Sequence, residues 1–292
     1  MILITGATGH TGRFLLEELF KRDPHPGIRC FVKRSSAHLD VLKNYDVEIA
    51  YGDIEDDISL AKALENIDTV IHIVNIRYSP RVMRLAMEAG VKRIIFIHTT
   101  GIFSKYRAYA SEYERIEKEI IENCRISYVI LRPTMIYGTV LDHNMHKLIA
   151  YIRTHRFFPV FGNGRGLMQP VYAGDLAKAI ALVAERPGIG NRSYNISGGS
   201  VLRYRDILSI IAGMVNPGIK FIYIPYWMAF LLGALYEGFF NIIGKRSQIS
   251  LEQIRRLNEN KNFGFEDAKR DFGYMPISFR EGIEKEIKSM GY

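Results

Sequence analysis

The chain has 292 residues, 48% of them apolar, which is enough to bury a large core and excludes a disordered chain. Its formal charge of +8 suits an anionic partner, but the basic residues are scattered among acidic ones. No basic run is interleaved with stacking aromatics, so nucleic-acid binding is not expected.

Taken in order, the first 133 residues alternate short apolar runs with amphipathic stretches. ILIT at 2–5 reads as a strand and not as a secretory signal, and a cytoplasmic location is expected. FLLEELFKR follows as a helix, then IRCFV at 28–32, a short polar helix, VEIAYGD at 47–53 and ISLAKALEN at 58–66. The acidic residues Glu55, Asp56 and Asp57 precede that last helix and suit the positive end of its dipole. DTVIHIV, PRVMRLAMEAG, KRIIFIHTT, a helix carrying Tyr109, and ISYVILRP at 126–133 continue the pattern. Continuous Val/Ile strands joined by helices predict a doubly wound α/β domain with a parallel sheet covered on both faces.

Beyond residue 140 the spacing predicts a helix near 142–155, the Gly-rich stretch FGNGRG at 161–166, a helix near 173–185 and a strand ending in the turn of YNISGG. The last third reads as mainly helical. A Rossmann cofactor domain over 1–195 is expected, with a smaller, mostly helical substrate lobe over 196–292 interwoven with segments near 138–170. The most apolar stretch, 221–243, is interrupted by Pro225, Glu237 and Asn241 and followed by Gly244, Lys245 and Arg246. It falls short of a membrane-spanning helix and is expected to be a buried or pocket-lining helix, with an apolar substrate channel or contact with a membrane surface as the alternatives. Cys30 and Cys124 lack metal-ligand spacing and read as buried reduced thiols; no metal site is expected.

ITGATGHTGRFLLEEL puts Gly6, Gly9 and Gly12 at the junction of a strand and a helix. Glycines let the backbone turn tightly and approach a pyrophosphate, which helix N-terminal amides then meet. The spacing G-x-x-G-x-x-G resembles the short-chain dehydrogenase/reductase superfamily in its extended and atypical branches, the NAD-dependent epimerase/dehydratase-like proteins. Further stretches are similar in the same order: GDI at 52–54, VIHIV at 70–74, LRPTMIYG at 131–138, QPVYAGDLAKAI at 169–180 and FGYMPISFREGI at 272–283. The resemblance implies an NAD(P)-binding Rossmann fold. It implies cofactor contacts from Gly6, Thr8, Gly9, His10, Thr11, Gly12 and Arg13, from Asp53 and Ile54 beside the adenine, and from Ile73 and Val74 beneath the cofactor.

A carboxylate at the end of the second strand selects the ribose of NAD, whereas a 2'-phosphate needs cations there. This chain offers Lys33 and Arg34, so NADP(H) is expected over NAD(H).

YASEYERIEKEI at 109–120 resembles the helix on which the family mounts a catalytic tyrosine and, one turn later, a lysine that lowers the phenol pKa. Tyr109 is in register with Glu117, but Tyr113 occupies the lysine position, and none of the 17 tyrosines has a lysine four residues on. Thr99 falls on the family's serine, with Thr100 beside it. Thr99, Thr100 and Tyr109 are therefore the catalytic candidates, and His98 and Lys105 are alternative sources of the missing charge. The reading favoured is an atypical NADP(H)-dependent oxidoreductase acting on a small, partly apolar carbonyl, alkene or quinone-like substrate. A nucleotide-sugar epimerase or dehydratase, with Arg153, Arg156 and Arg165 near a diphosphate, and a non-catalytic NADP(H) sensor or interaction protein are the alternatives. The oligomeric state stays open.

Overall fold

A computed structural model describes residues 1–21, 27–106, 108–228, 230–231, 256 and 259–292. Branched apolar runs form β1 (Ile2–Thr5), β2 (Ile28–Val32), β3 (Glu48–Tyr51), β4 (Thr69–His72), β5 (Arg93–Ile97) and β6 (Ser127–Pro133). Between them lie α1 (His10–Phe20), α2 (Asp57–Ala63), α3 (Ser79–Glu88) and α4 (Ala110–Asn123). The second half adds β7 (Ile136–Tyr137), α5 (Met145–Thr154), β8 (Phe157–Phe161), β9 (Leu167–Met168), β10 (Val171–Tyr172) and α6 (Ala173–Ala184). It closes with β11 (Arg192–Ile196), β12 (Leu202–Arg203), α7 (Tyr204–Val215), β13 (Lys220–Ile224), α8 (Glu266–Phe272) and α9 (Phe279–Ser289).

Seven strands form one sheet in the order β11-β6-β5-β4-β1-β2-β3, and every pair in it is parallel. This is the doubly wound arrangement, and its order reverses between β1 and β4. A parallel sheet must be covered on both faces, and alternate residues of each strand serve the two layers. Ile2 and Ile4 pack with Leu15, Leu16 and Leu19 of α1 and Leu176 and Ile180 of α6. Leu3, from the same strand, packs with Leu60, Val82, Leu85, Ile116 and Ile120 of α2, α3 and α4.

Local signals act as the residue types require. Asp56 caps α2 by accepting from the Ile58 and Ser59 amides. The short polar helix after β2 is a 3-10 turn over Leu39–Asn44. Cys30 is buried as expected, whereas Cys124 is only half-buried at the C-cap of α4, and both thiols are free.

A third core holds the lobe together: Tyr137, Met145, Ile149, Val160, Ile207, Ile211, Phe279 and Ile283. Packing crosses residue 195 in both directions, because β7, α5 and β8 join this lobe core while Ala268 and Phe272 of α8 pack with the α1 and α6 layer. The apolar stretch at 221–243 is expected from its sequence to be a buried or pocket-lining helix, but it begins as strand β13 through Ile224, Trp227 and Leu231 are exposed, and residues 229 and 232–243 lie outside the described residues. Among the described residues no helix is long and apolar enough to cross a membrane.

Gly12 is the tightest point of the first turn: a Cβ there would stand 2.2 Å from the Gly6 carbonyl oxygen and 2.7 Å from the Ala7 backbone. Gly12→Ala is therefore expected to destabilise the fold by about 3 kcal/mol. Gly213→Ala in α7, where a Cβ meets nothing within 4 Å, should stabilise it by about 0.5 kcal/mol or slightly more. Denaturant midpoints that move equally for both would refute the close approach at Gly12.

Candidate active site

The C-terminal ends of β1, β4, β5 and β6 open onto one cavity of about 930 Å³. Its first wall is the glycine turn. Gly6 adopts a φ of +79° and sits where a Cβ would come within 3.3 Å of Val74. Gly9 is the N-cap of α1 and offers no side-chain cap, and the first turn of that helix carries no acidic residue. An open, amide-lined helix start beside the sheet's switch point suits a pyrophosphate. Gly6, Gly9, His10, Thr11, Ile73, Val74, Thr99 and Thr100 all line this cavity.

Eight expected site residues are not among its lining. Gly12 packs behind the turn, Thr8 accepts from Arg13 Nε through its carbonyl at 3.1 Å, and Ile54 is buried in the α2 and α3 layer. Lys33 pairs with Asp53 at 2.8 Å, and the Arg34 guanidinium lies 4.5 Å from the Tyr51 ring centroid. The expected cations thus stand together at the ends of β2 and β3, with one of the two charges balanced by Asp53.

Tyr109 also stands apart from the cavity lining. It is the N-cap of α4, 50% exposed, stacked on Tyr113 at 6.3 Å and covered by the Arg77 guanidinium at 4.8 Å. Arg77 is in turn held by both Glu112 carboxylate oxygens at 2.7 Å. Tyr113, buried among Ile116 and Ile120, supplies the platform on which Tyr109 rests.

Beneath the cavity floor runs a closed chain of buried polar groups. Glu117 receives Arg132 through Nε at 2.8 Å and Nη2 at 2.5 Å, and His98 Nδ1 at 3.0 Å. The carboxylate accepts, so Nδ1 carries the hydrogen and His98 Nε2 accepts from the Ser79 hydroxyl at 3.0 Å. Burial alone would raise the Glu117 pKa, but hydrogen bonds from His98 and Arg132 outweigh it and hold the carboxyl below its ordinary value. Burial holds His98 below its ordinary value despite Glu117. Both ring nitrogens are occupied, which removes His98 as a stand-in for the absent lysine. Lys105 instead contributes its backbone amide, donated to Glu259 at 2.7 Å.

The two threonines differ. Thr99 Oγ1 accepts the Gly101 amide at 3.0 Å, leaving its own hydrogen to donate toward the cavity. Thr100 donates to the Pro133 carbonyl at 3.3 Å, which commits its proton.

Two features of the site, a strap and Asp142, carried no sequence motif. A strap at 259–263 borders the cavity, with Glu259 also accepting from Ser104 at 2.7 Å, Phe263 against Phe103 at 5.4 Å and the Phe263 amide donating to Gln169 at 3.0 Å. Asp142 lines the same cavity and accepts the Asn144 and Met145 amides at 2.7 Å. His10 is lowered to about 4 by burial, against the pull of Asp142, and is neutral at pH 7.

Burial, reinforced by the Asp142 carboxylate, pushes Glu286 of α9 up to about 10, so the folded protein keeps it as a neutral acid. The unfolded chain ionises it above its ordinary value of 4.5, and its contribution to stability is therefore full below that pH and lost as pH rises toward 10. Glu286→Gln should match the wild type near pH 4 and exceed it in melting temperature by a margin that widens from pH 5 to 9. A margin that shrinks with pH would show that Glu286 is ionised in the fold.

Comparison with known proteins agrees with this geometry. Residues 6–150 match the NAD(P)H-binding domain family. The chain is 22% identical to the N-acetyl-alpha-D-glucosaminyl-diphospho-ditrans,octacis-undecaprenol 4-epimerase of Escherichia coli O157:H7, over 98% of this chain and 94% of that protein. It is 23% identical to the 2-alkyl-3-oxoalkanoate reductase of Stenotrophomonas maltophilia, over 97% of each. UDP-glucose 4-epimerase from Thermotoga maritima shares the fold with a TM-score of 0.73 at 17% identity, over 99% of this chain and 98% of that one. Residues 6–150 thus form an NAD(P)H-binding domain on a Rossmann-like parallel sheet, and over nearly its full length the chain is similar to epimerases and reductases.

Proposed function

We propose that the protein is an NADP(H)-dependent oxidoreductase that reduces or oxidises a small, partly apolar carbonyl, alkene or quinone-like substrate. The observation that carries this reading is the composition of the single cavity that joins the glycine turn to Thr99. Past Thr99 its wall combines Phe103, Met135, Leu148, Met168, Ile207 and Phe263 with polar groups such as Asp142, Asn144 and Gln169, a lining that suits a partly apolar molecule.

A nicotinamide cofactor supplies the hydride when bound. This chain's residues do the rest: Gly6 and Gly9, having no side chains, let the backbone come close to the diphosphate, with the Gly9 amide closing the turn on the Gly6 carbonyl at 3.1 Å. The start of α1 at Thr11 faces it, and Ile73 and Val74 support the cofactor from the end of β4. Thr99 donates its hydroxyl hydrogen to the substrate oxygen, and the apolar wall excludes water. Arg34, beside the Lys33–Asp53 pair, is the cation left to meet a 2'-phosphate. Tyr109, outside the lining and without its lysine, contributes little in this arrangement.

A second reading, a nucleotide-sugar epimerase or dehydratase using NAD, draws on the full-length similarity to epimerases and on Arg256 and Lys261 in the cavity wall. Arg153, expected near a diphosphate, instead stacks on Tyr292 at 3.8 Å.

Calorimetric titration with NADPH and NADH tests cofactor choice. NADPH should bind at least tenfold more tightly, and Arg34→Ala should erase most of that ratio; equal affinities would end the NADP(H) assignment. Gly9→Val should abolish binding of both. On a substrate found by screening with NADPH, Thr99→Val should lower kcat by about tenfold to a hundredfold, while Tyr109→Phe should change it less than threefold. A loss of about a hundredfold or more in Tyr109→Phe would restore the phenol as the acid. Epimerisation of a UDP-sugar with NAD bound would establish the second reading, and tight binding with no turnover of either substrate class would mark a sensor.

A further inference from the structure

The lobe carries a second concavity of about 630 Å³, lined by Asn163, Arg165, Arg205, Tyr223, Pro225 and Tyr226 among others. It shares no residue with the cofactor cavity. The FGNGRG turn builds it: Gly162 and Gly164 take φ values of +79° and +63°, and the Gly164 carbonyl accepts the Arg205 amide at 3.0 Å. A Cβ on Gly164 would stand 3.1 Å from that of Arg205, so the turn brings the Arg165 and Arg205 backbones side by side. Among the described residues Arg205 pairs with Asp206 at 3.8 Å, and one oxygen of Asp206 accepts the Arg203 amide.

Beside this basic concavity lies an uncovered apolar surface. Trp227 is 68% exposed, and Phe157, Ile222, Tyr223, Met228 and Leu231 lie between 38% and 52%. The β8 and β13 register sets Phe157 opposite Lys220 and Pro159 opposite Ile222. Arg156 and Lys220 are exposed at the other end of the strand pair and are not part of this face. Contiguous exposed apolar side chains mark an interaction surface. Tryptophan and tyrosine beside arginine and lysine are the set that settles at a lipid headgroup layer, where basic residues are drawn to an anionic surface.

We propose that this face docks on an anionic membrane surface, with Trp227, Met228 and Leu231 entering the headgroup layer and a lipid phosphate seated between Arg165 and Arg205. The contact is superficial, not spanning, and it is independent of which cofactor or substrate the other cavity takes.

Trp227 is the chain's one tryptophan, so its emission reads this face alone. The whole protein is mixed with vesicles of phosphatidylglycerol and phosphatidylcholine, or of phosphatidylcholine alone. The expected result is a blue shift and co-sedimentation with the anionic vesicles only, both weakening as salt is raised. The double variant Arg165→Glu/Arg205→Glu and the single variant Leu231→Glu should each reduce partitioning at least tenfold while keeping the wild-type melting temperature. Absence of a shift and of pelleting with anionic vesicles would overturn the proposal. So would equal binding to neutral vesicles, a blue shift that grows with protein concentration without vesicles, or binding of inorganic phosphate without vesicle binding.

Discussion

The close approach between the Gly6 carbonyl and Gly12 fixes the geometry on which the rest of the molecule depends. With no side chain at Gly12, α1 begins directly against the end of β1, and its apolar face meets α6 over the sheet. The same approach leaves the α1 amides facing the crevice beside Val74, where the strand order reverses. One steric constraint thus places a core helix and opens the helix start that an anionic ligand can use. Neither result survives a Cβ at 2.2 Å from a carbonyl oxygen.

The cavity floor rests on a different principle. Burying Glu117, Arg132 and His98 is costly unless every lone pair and proton is met, and here Ser79, His98, Glu117 and Arg132 satisfy one another. Arg132 then extends the chain to the wall, with its guanidinium 5.4 Å from the Phe103 ring centroid. Phe103 meets Phe263 of the strap, and Ser104 holds Glu259. A displacement of Glu117 therefore reaches the cavity mouth through packed groups. The change from lysine to Tyr113 fits this frame: an ammonium would need to reach the site, whereas the Tyr113 ring fills the layer beside Ile116 and carries Tyr109 on its face. The position has passed from site to packing.

The seven-strand sheet was legible because its strands are continuous branched runs and its helices carry a 3.6-residue period. The Asp56 cap was legible from residue type alone. Spacing singled out Glu117 as well, but its partners lie 15 and 19 residues away in Arg132 and His98, and no local pattern couples them. Lys33 was legible as a cation at the end of β2, while its neutralisation by Asp53 is a product of neighbouring strand ends. The Asp142 and Glu286 pairing and the strap at 259–263 were invisible for the same reason: Ser104 and Glu259 are 155 residues apart. Tyr109 was legible by register alone, whereas the stacking of its ring on Tyr113, outside the cavity lining, was not.

The net charge of +8 is easier to interpret once its placement is known. Many cations are spent in pairs such as Lys92 with Asp68 at 2.6 Å and Arg84 with Asp57 at 2.6 Å. Among the described residues, positive charge stands together at Arg34 with Lys33 at the ends of β2 and β3 and at Arg165 with Arg205 on the lobe. At physiological salt a charge is felt over about 8 Å, so each group acts on what lies beside it and not through a field of the whole protein. What lies beside each then decides its role. Arg34 lies over the Tyr51 ring, beside the Lys33–Asp53 pair. Arg165 and Arg205 neighbour Tyr223, Tyr226 and the exposed Trp227, which suits a phosphate that is itself part of an apolar surface.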